Sequence, residues 1–135
     1  MSLLTEFISQ QQPRAVDWRE SHCCTIPARW IAVAERVAPP MPAVDSQLEA
    51  LSTILRRGGL VEAVSQIISR RPVATEHARP GDLVAFAPGV VGAGGIGVIG
   101  IVLEGLEPLL AIAFAGPQAT LHPVSAAAVA WEIAR

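Results

Sequence analysis

Between Leu83 and Trp131 only two residues, Glu104 and Glu107, carry a charge. A segment of that length and polarity cannot lie open to water, so it must form the inside of something. Within it, Leu83-Val84-Ala85-Phe86, residues 96–103, 109–114, 119–121 and 128–133 are apolar, often β-branched, and divided by Gly and Pro. That pattern predicts strands of an antiparallel sheet. A solvated antiparallel face should alternate apolar with polar residues, and here the alternation is largely missing. The expectation is therefore a sheet covered on both faces, by the chain's own helices on one and by a neighbouring protein on the other. The competing reading is a bilayer span from Leu83 to Leu103, which is uncharged and long enough. Pro88 and the glycines at 89, 92, 94, 95, 97 and 100 suit a lone membrane helix badly, and the flanking charges Asp82 and Glu104 are acidic. No membrane span is expected.

The first half reads as helical. Leu3, Leu4, Phe7 and Ile8 share one helical face, closed by Pro13; Ile26, Trp30, Val33 and Val37 recur at helical spacing up to Pro39-Pro40-Met41-Pro42. Pro27 is tolerated only in a first turn, so this second helix must open close to Cys23 and Cys24. Asp45 or Ser46 caps a third helix with the stripe Leu48, Leu51, Ile54 and Leu55, stopped by Gly58-Gly59. A fourth runs from Leu60 to Arg70-Arg71-Pro72, and arginines in the last turns of both suit the negative end of the helix dipole. Helices over about residues 1–72 and strands over about 80–135 make one α+β domain, N-terminal helices packed on a C-terminal antiparallel sheet.

Charge narrows the partners. Ten basic residues, all arginine, against twelve acidic ones leave a formal charge of -2, with no electrostatic case for gripping a phosphate backbone. Nucleic acid is not an expected partner. Charged residues are only 16% of the chain, against a typical share of about 25%, which favours a subunit of an assembly. Met1 to Ile8 carries neither a basic leader nor a long apolar run, so no secretory signal is expected and synthesis is expected in the cytoplasm.

The stretch from Trp18 to Trp30 concentrates the chemistry, with both cysteines and His22. Adjacent cysteines cannot staple a loop, so Cys23 and Cys24 read as reduced thiols. Structural zinc wants four ligands, usually as spaced pairs, and no metal or cofactor is expected from His22, Cys23 and Cys24. Gly92-Ala93-Gly94-Gly95-Ile96-Gly97 satisfies G-x-G-x-x-G, but β-branched residues come after it and position 117 is Pro, so neither the helix nor the acidic residue of a dinucleotide site is available. A thiol at a helix N-terminus is the better signal, because unpaired backbone N–H groups and the helix dipole favour the thiolate.

Trp18, Cys23-Cys24-Thr25, the helix to Trp30, Gly58-Gly59-Leu60, Arg79-Pro80-Gly81-Asp82-Leu83-Val84-Ala85-Phe86, Gly95-Ile96-Gly97-Val98 and Ala130-Trp131-Glu132-Ile133 succeed one another over nearly the whole chain. In that order they resemble the NlpC/P60 superfamily, most closely a small branch encoded among phage and prophage tail genes. The resemblance implies a papain-like fold, with a nucleophile on a helix N-terminus packed against a sheet that supplies a histidine and a third polar residue. Cys23 falls on the nucleophile position. The general-base position falls on Gly95, and the strand expected to bring the third polar residue offers only apolar residues from Leu109 to Phe114.

A cysteine nucleophile relies on an imidazole for proton transfer, worth roughly 10²–10⁴ in rate. Gly95 supplies none; His22 is adjacent to Cys23 and points elsewhere, His77 reads as a loop residue, and His122 on a later strand is the one substitute base. The resemblance thus implies a degenerate, non-catalytic component of a bacteriophage tail tip or baseplate, assembled in the bacterial cytoplasm and held by contacts with other tail proteins. The alternative is a cysteine peptidase or amidase that cleaves peptidoglycan stem peptides during phage entry, with Cys23 as nucleophile and His122 as base.

Overall fold

The computed structural model describes residues 2–11, 25–90, 97–115 and 118–134. Four helices precede five strands: α1 (Leu3–Gln10), α2 (Thr25–Glu35), α3 (Gln47–Arg56), α4 (Leu60–Ile68), then β1 (Leu83–Phe86), β2 (Val98–Val102), β3 (Leu110–Ala115), β4 (Gln118–Pro123) and β5 (Val129–Trp131). The strands form one antiparallel sheet in the order β4-β3-β2-β1-β5. The chain is α+β, as the change of pattern near residue 80 predicts.

Local signals set the helix ends. The Ser2 hydroxyl accepts the Thr5 N–H at 3.1 Å, and Ser46 accepts the Glu49 N–H at 3.1 Å, so each satisfies a backbone donor that the first turn leaves open. Glu49 reaches back to the N–H of Asp45, the residue before the cap, at 3.2 Å, and so ties the incoming chain to the first turn. At the far end of α3, Gly58 and Gly59 donate to Leu55 and Ile54 and turn the chain straight into α4.

Strand parity sorts the sheet residues onto two faces. Leu83, Ala85, Ile99, Ile101, Phe114 and Trp131 point toward the helices, against Leu4 and Phe7 of α1, Ile26, Trp30 and Ile31 of α2 and Leu60 of α4. Val84, Phe86, Val98, Val102, Ala111, Ala113 and Ala130 point the other way. This second face is buried within the chain itself: Ala78, Val124, Val73, Val90, Leu109, Ala126 and Ala127 pack over it. Most of them come from the connections around two 3-10 turns, Thr75–His77 and Val124–Ala126, while Val90 follows β1 and Leu109 precedes β3. The expectation that a neighbouring protein covers this face is therefore corrected. The connections are themselves rich in Ala and Val, small enough to lie flat on a sheet, and they supply the cover that the missing polar alternation demanded.

Helix faces match the predicted stripes only in part. On α2 the buried residues are Ile26, Pro27, Trp30 and Ile31, while Val33 is exposed and Val37, exposed as well, lies beyond the helix end at Glu35. On α3 two of the four stripe residues, Leu48 and Leu55, are exposed. No helix among the described residues is long and apolar enough to cross a membrane.

Candidate functional site

Cys23, the candidate nucleophile, lies outside the described residues, together with Trp18, His22 and Cys24; Gly95 lies outside them as well. Helix α2 opens at Thr25, the residue after Cys24, and carries Pro27 in its first turn, where its missing N–H costs nothing.

Trp30 fixes α2 to the rest of the chain. Its ring is buried, tilted against Phe7 of α1 with centroids 5.4 Å apart, and its indole Nε1–H donates to the Gly81 carbonyl at 2.7 Å. Gly81 has φ +92°, and a Cβ there would stand 3.3 Å from the Trp30 ring. Glycine is therefore favoured both by the turn's left-handed backbone and by the close approach of the indole.

The next residue, Asp82, is 1% exposed, a carboxyl inside the fold. Its Oδ2 accepts the Arg79 N–H at 2.9 Å and its Oδ1 accepts the Ile133 N–H at 3.0 Å. The backbone continues the join, with the Gly81 N–H donating to Val102 at 2.8 Å and the Val102 N–H to Asp82 at 2.9 Å. Arg79-Pro80-Gly81-Asp82 is thus a joint where α2, the start of β1, the end of β2 and the C-terminal segment meet. Burying a carboxyl is unfavourable unless its lone pairs are satisfied, and here backbone donors from two distant parts of the chain satisfy them.

His122 sits on β4, opposite Ala111, while Thr120 sits opposite Ala113. Directly opposed residues share a face, so both side chains lie on the face that Ala111 and Ala113 define, away from α2. The half-buried His122 ring stands edge-on to Phe86, centroids 5.5 Å apart, and its Nε2 is 2.8 Å from the Thr120 hydroxyl. His77 is exposed in the first 3-10 turn, whose neighbour Ala78 covers the same second face. The two described imidazoles therefore belong to the layer opposite α2.

Sequence reasoning missed a second charged cluster. The Glu35 carboxylate at the end of α2 pairs with the Arg70 guanidinium after α4, and its other oxygen accepts the Ala134 N–H at 2.7 Å. Arg70 also donates to the Glu132 carbonyl at 2.6 Å. The hydrogen bond from Arg70 holds the Glu35 carboxyl below its usual range, against the opposing effect of burial. Together with Asp82, this pair clamps three successive residues, Glu132, Ile133 and Ala134. Arg70 lies beyond the Ser69 cap of α4 and not in its last turn, which corrects the expected dipole role. Its partner lies 35 positions away, and no local pattern announces such a pair.

Among the described residues no group of three or more His, Cys, Asp or Glu side chains could hold a metal ion. The class these observations define is a helix-on-sheet α+β protein whose C-terminal segment is tied to its helices and sheet by hydrogen bonds. The chain belongs to the family described as Domain of unknown function (DUF6950), whose model matches residues 1–133. No curated protein and no solved structure matches it.

Proposed function

We propose that this chain is a non-catalytic structural protein on an NlpC/P60-like fold, working through protein–protein contacts in the tail tip or baseplate of a bacteriophage. The fold reading draws on α2, which opens directly after the cysteine pair and packs on an antiparallel sheet, and on the Gly81-Asp82 turn leading into β1. The tail assignment draws on the sequence resemblance.

The observation that carries the non-catalytic part is the placement of His122. The one described strand histidine projects from the sheet face away from α2, and it is already engaged with Thr120 and Phe86. An imidazole that serves a thiol must come within hydrogen-bond reach of it, about 2.6–3.2 Å, or act through one water.

Two measurements test the reading. Peptide mapping of purified tail particles from the cell that encodes this chain should find it in fixed stoichiometry with other tail proteins. Its absence from such particles overturns the tail assignment. Purified protein incubated with muropeptides should release no product; release that vanishes in Cys23→Ala would overturn the non-catalytic reading and restore the peptidase.

A further inference from the structure

One edge of the sheet is closed and the other is open. Beyond β5, Val73 exchanges both backbone hydrogen bonds with Ala130, at 2.7 and 2.9 Å, so that edge already has a partner. Beyond β4 no described residue pairs. The Val124 N–H donates to Leu109 at 3.1 Å, one step past the pair Leu110 and Pro123. Antiparallel partners alternate between bonded and unbonded, so Thr120 and His122 turn their backbone groups to β3, while Ala119 and Leu121 turn theirs outward. Pro123 falls on an outward position, where its missing N–H costs the pairing with β3 nothing. The open edge thus offers the N–H and C=O groups of Ala119 and Leu121, and no acidic residue, lysine or arginine stands on it to repel a like edge.

Unpaired strand groups call for another strand, and the prolines select a second copy of this one. A two-fold axis normal to the sheet lays two β4 strands antiparallel and keeps like faces together, so each residue meets one of its own parity. Centred on Leu121, such a pairing asks Pro123 for an N–H; centred on Ala119, it asks residue 117, which is also a proline. Neither has one to give. Centred on Thr120, Ala119 of each copy faces Leu121 of the other and exchanges both bonds with it, so every outward group at the two positions is satisfied. The two prolines lie equally far from Thr120 in sequence, and the strand is complementary to itself in this register alone. The side chains agree. Ala119 and Leu121 stand opposite Phe114 and Ile112, on the helix side of the sheet, and Leu121 is 54% exposed. Across the axis each Leu121 meets Ala119 of the other copy, while Thr120 meets its twin on the opposite face, apolar beside apolar and hydroxyl beside hydroxyl.

We propose that β4 is a self-association edge, through which two copies of this chain pair antiparallel about Thr120 and join their sheets into one of ten strands. The contact is a single short strand on each side, smaller than a standard interface, so the dimer exchanges reversibly with the monomer and gains population with concentration. It stands independently of the tail assignment.

Sedimentation velocity of the full chain and cysteine cross-linking test this together. The wild type should move from monomer to dimer with rising concentration. Leu121→Pro removes an outward N–H from each copy and should weaken the dimer by about ten-fold or more. Thr120→Lys, which sets two ammonium groups face to face on the axis and leaves the backbone unaltered, should weaken it as well, and serves alone should the proline variant fail to fold by circular dichroism. The register has its own readout. With Cys23→Ser and Cys24→Ser in place, Thr120→Cys puts two thiols on an unbonded pair about 4.5 Å apart at Cα, within disulfide reach, whereas Ala119→Cys or Leu121→Cys alone does not face its twin. Oxidation at equal concentration should therefore cross-link Thr120→Cys about ten-fold faster than either of the others. A wild type that stays monomeric up to about 1 mM, a dimer indifferent to the β4 changes, or cross-linking as fast through position 119 or 121 would each overturn the proposal.

Discussion

Replacing Asp82 by Ala should be among the most damaging single changes in this protein, and its surroundings set the size of the effect. The carboxylate accepts backbone N–H groups from Arg79 at 2.9 Å and from Ile133 at 3.0 Å, in a site with 1% exposure. A hydrogen bond to a charged group contributes about 1.5–3 kcal/mol net, and a buried N–H left without a partner costs about 1–3 kcal/mol. The Ile133 donor is buried, so truncation strands it. The two contributions overlap, and a loss of roughly 3–5 kcal/mol is expected, a large share of a typical 5–15 kcal/mol. For a chain of 135 residues that lowers the thermal midpoint by about 10–20 °C. Asp82→Asn keeps the shape and one acceptor oxygen but turns an amide toward the other donor, so its loss should fall between Ala and the wild type. Urea unfolding monitored by tryptophan fluorescence reads the joint itself, since Trp30 donates to Gly81 and both Trp30 and Trp131 are buried. If Asp82→Ala lies within about 0.5 kcal/mol of the wild type, the range of ordinary surface changes, the joint carries no such stability and the argument fails.

Glu35 has its carboxyl held below the usual range by Arg70, so its contribution is complete above the unfolded-state value and is lost as pH falls through the folded-state value. Thermal midpoints measured from pH 7 downward should show Glu35→Gln less stable than wild type near neutrality, with the gap closing in acid; a gap independent of pH would refute the clamp. Gly97→Ala should cost about 2–4 kcal/mol, because its φ is +95° and an added Cβ would stand 2.4 Å from the Phe86 carbonyl oxygen. Gly100→Ala, with its nearest neighbours at 3.2–3.3 Å and no positive φ, should cost less in the same denaturant titration, and the reverse order would contradict the packing around Phe86.

The strands are the most legible part of the chain. The predicted stretch Leu83–Phe86 is β1 to the residue, and each of the other four apolar stretches overlaps one strand, although β4 runs beyond residues 119–121 at both ends. Gly and Pro mark their ends, and a fully buried strand writes its burial into an unbroken apolar run. Helix existence is equally readable, and Ser46 does cap α3. Helix faces are less so. Periodicity shows that Leu48, Leu51, Ile54 and Leu55 share a side, but it does not say whether the core or something outside the chain receives them. For the site, Arg79 to Asp82 stands out as a motif, yet nothing local reveals that Asp82 binds the N–H of Ile133, 51 positions on. Strand parity decides His122: its register opposite Ala111 fixes its face, and register depends on the hairpin and not on composition.

The buried second face changes where an assembly role must act. A low charge count on a domain of this size invites the inference that apolar sheet surface meets a partner. Here Val84, Phe86, Val102, Ala111 and Ala130 are instead covered by the chain's own connections, so the uncharged second half is consumed by two internal layers. The second face over β1, β2, β3 and β5 is thereby removed as a contact surface. Among the described residues the large apolar side chains left outward are scattered: Leu3, Val33, Val37, Met41, Leu48, Leu55, Leu106, and Leu121 on β4, an edge strand with no acidic residue, lysine or arginine along Gln118–Pro123. Edge strands without such a charge or a bulge keep unpaired backbone groups available to another chain, although Pro123 limits pairing at one end. Polar substitutions at the exposed Leu48, Leu55 or Leu121 should therefore leave the thermal midpoint nearly unchanged, while substitutions at the buried Asp82 or at Gly97 should lower it.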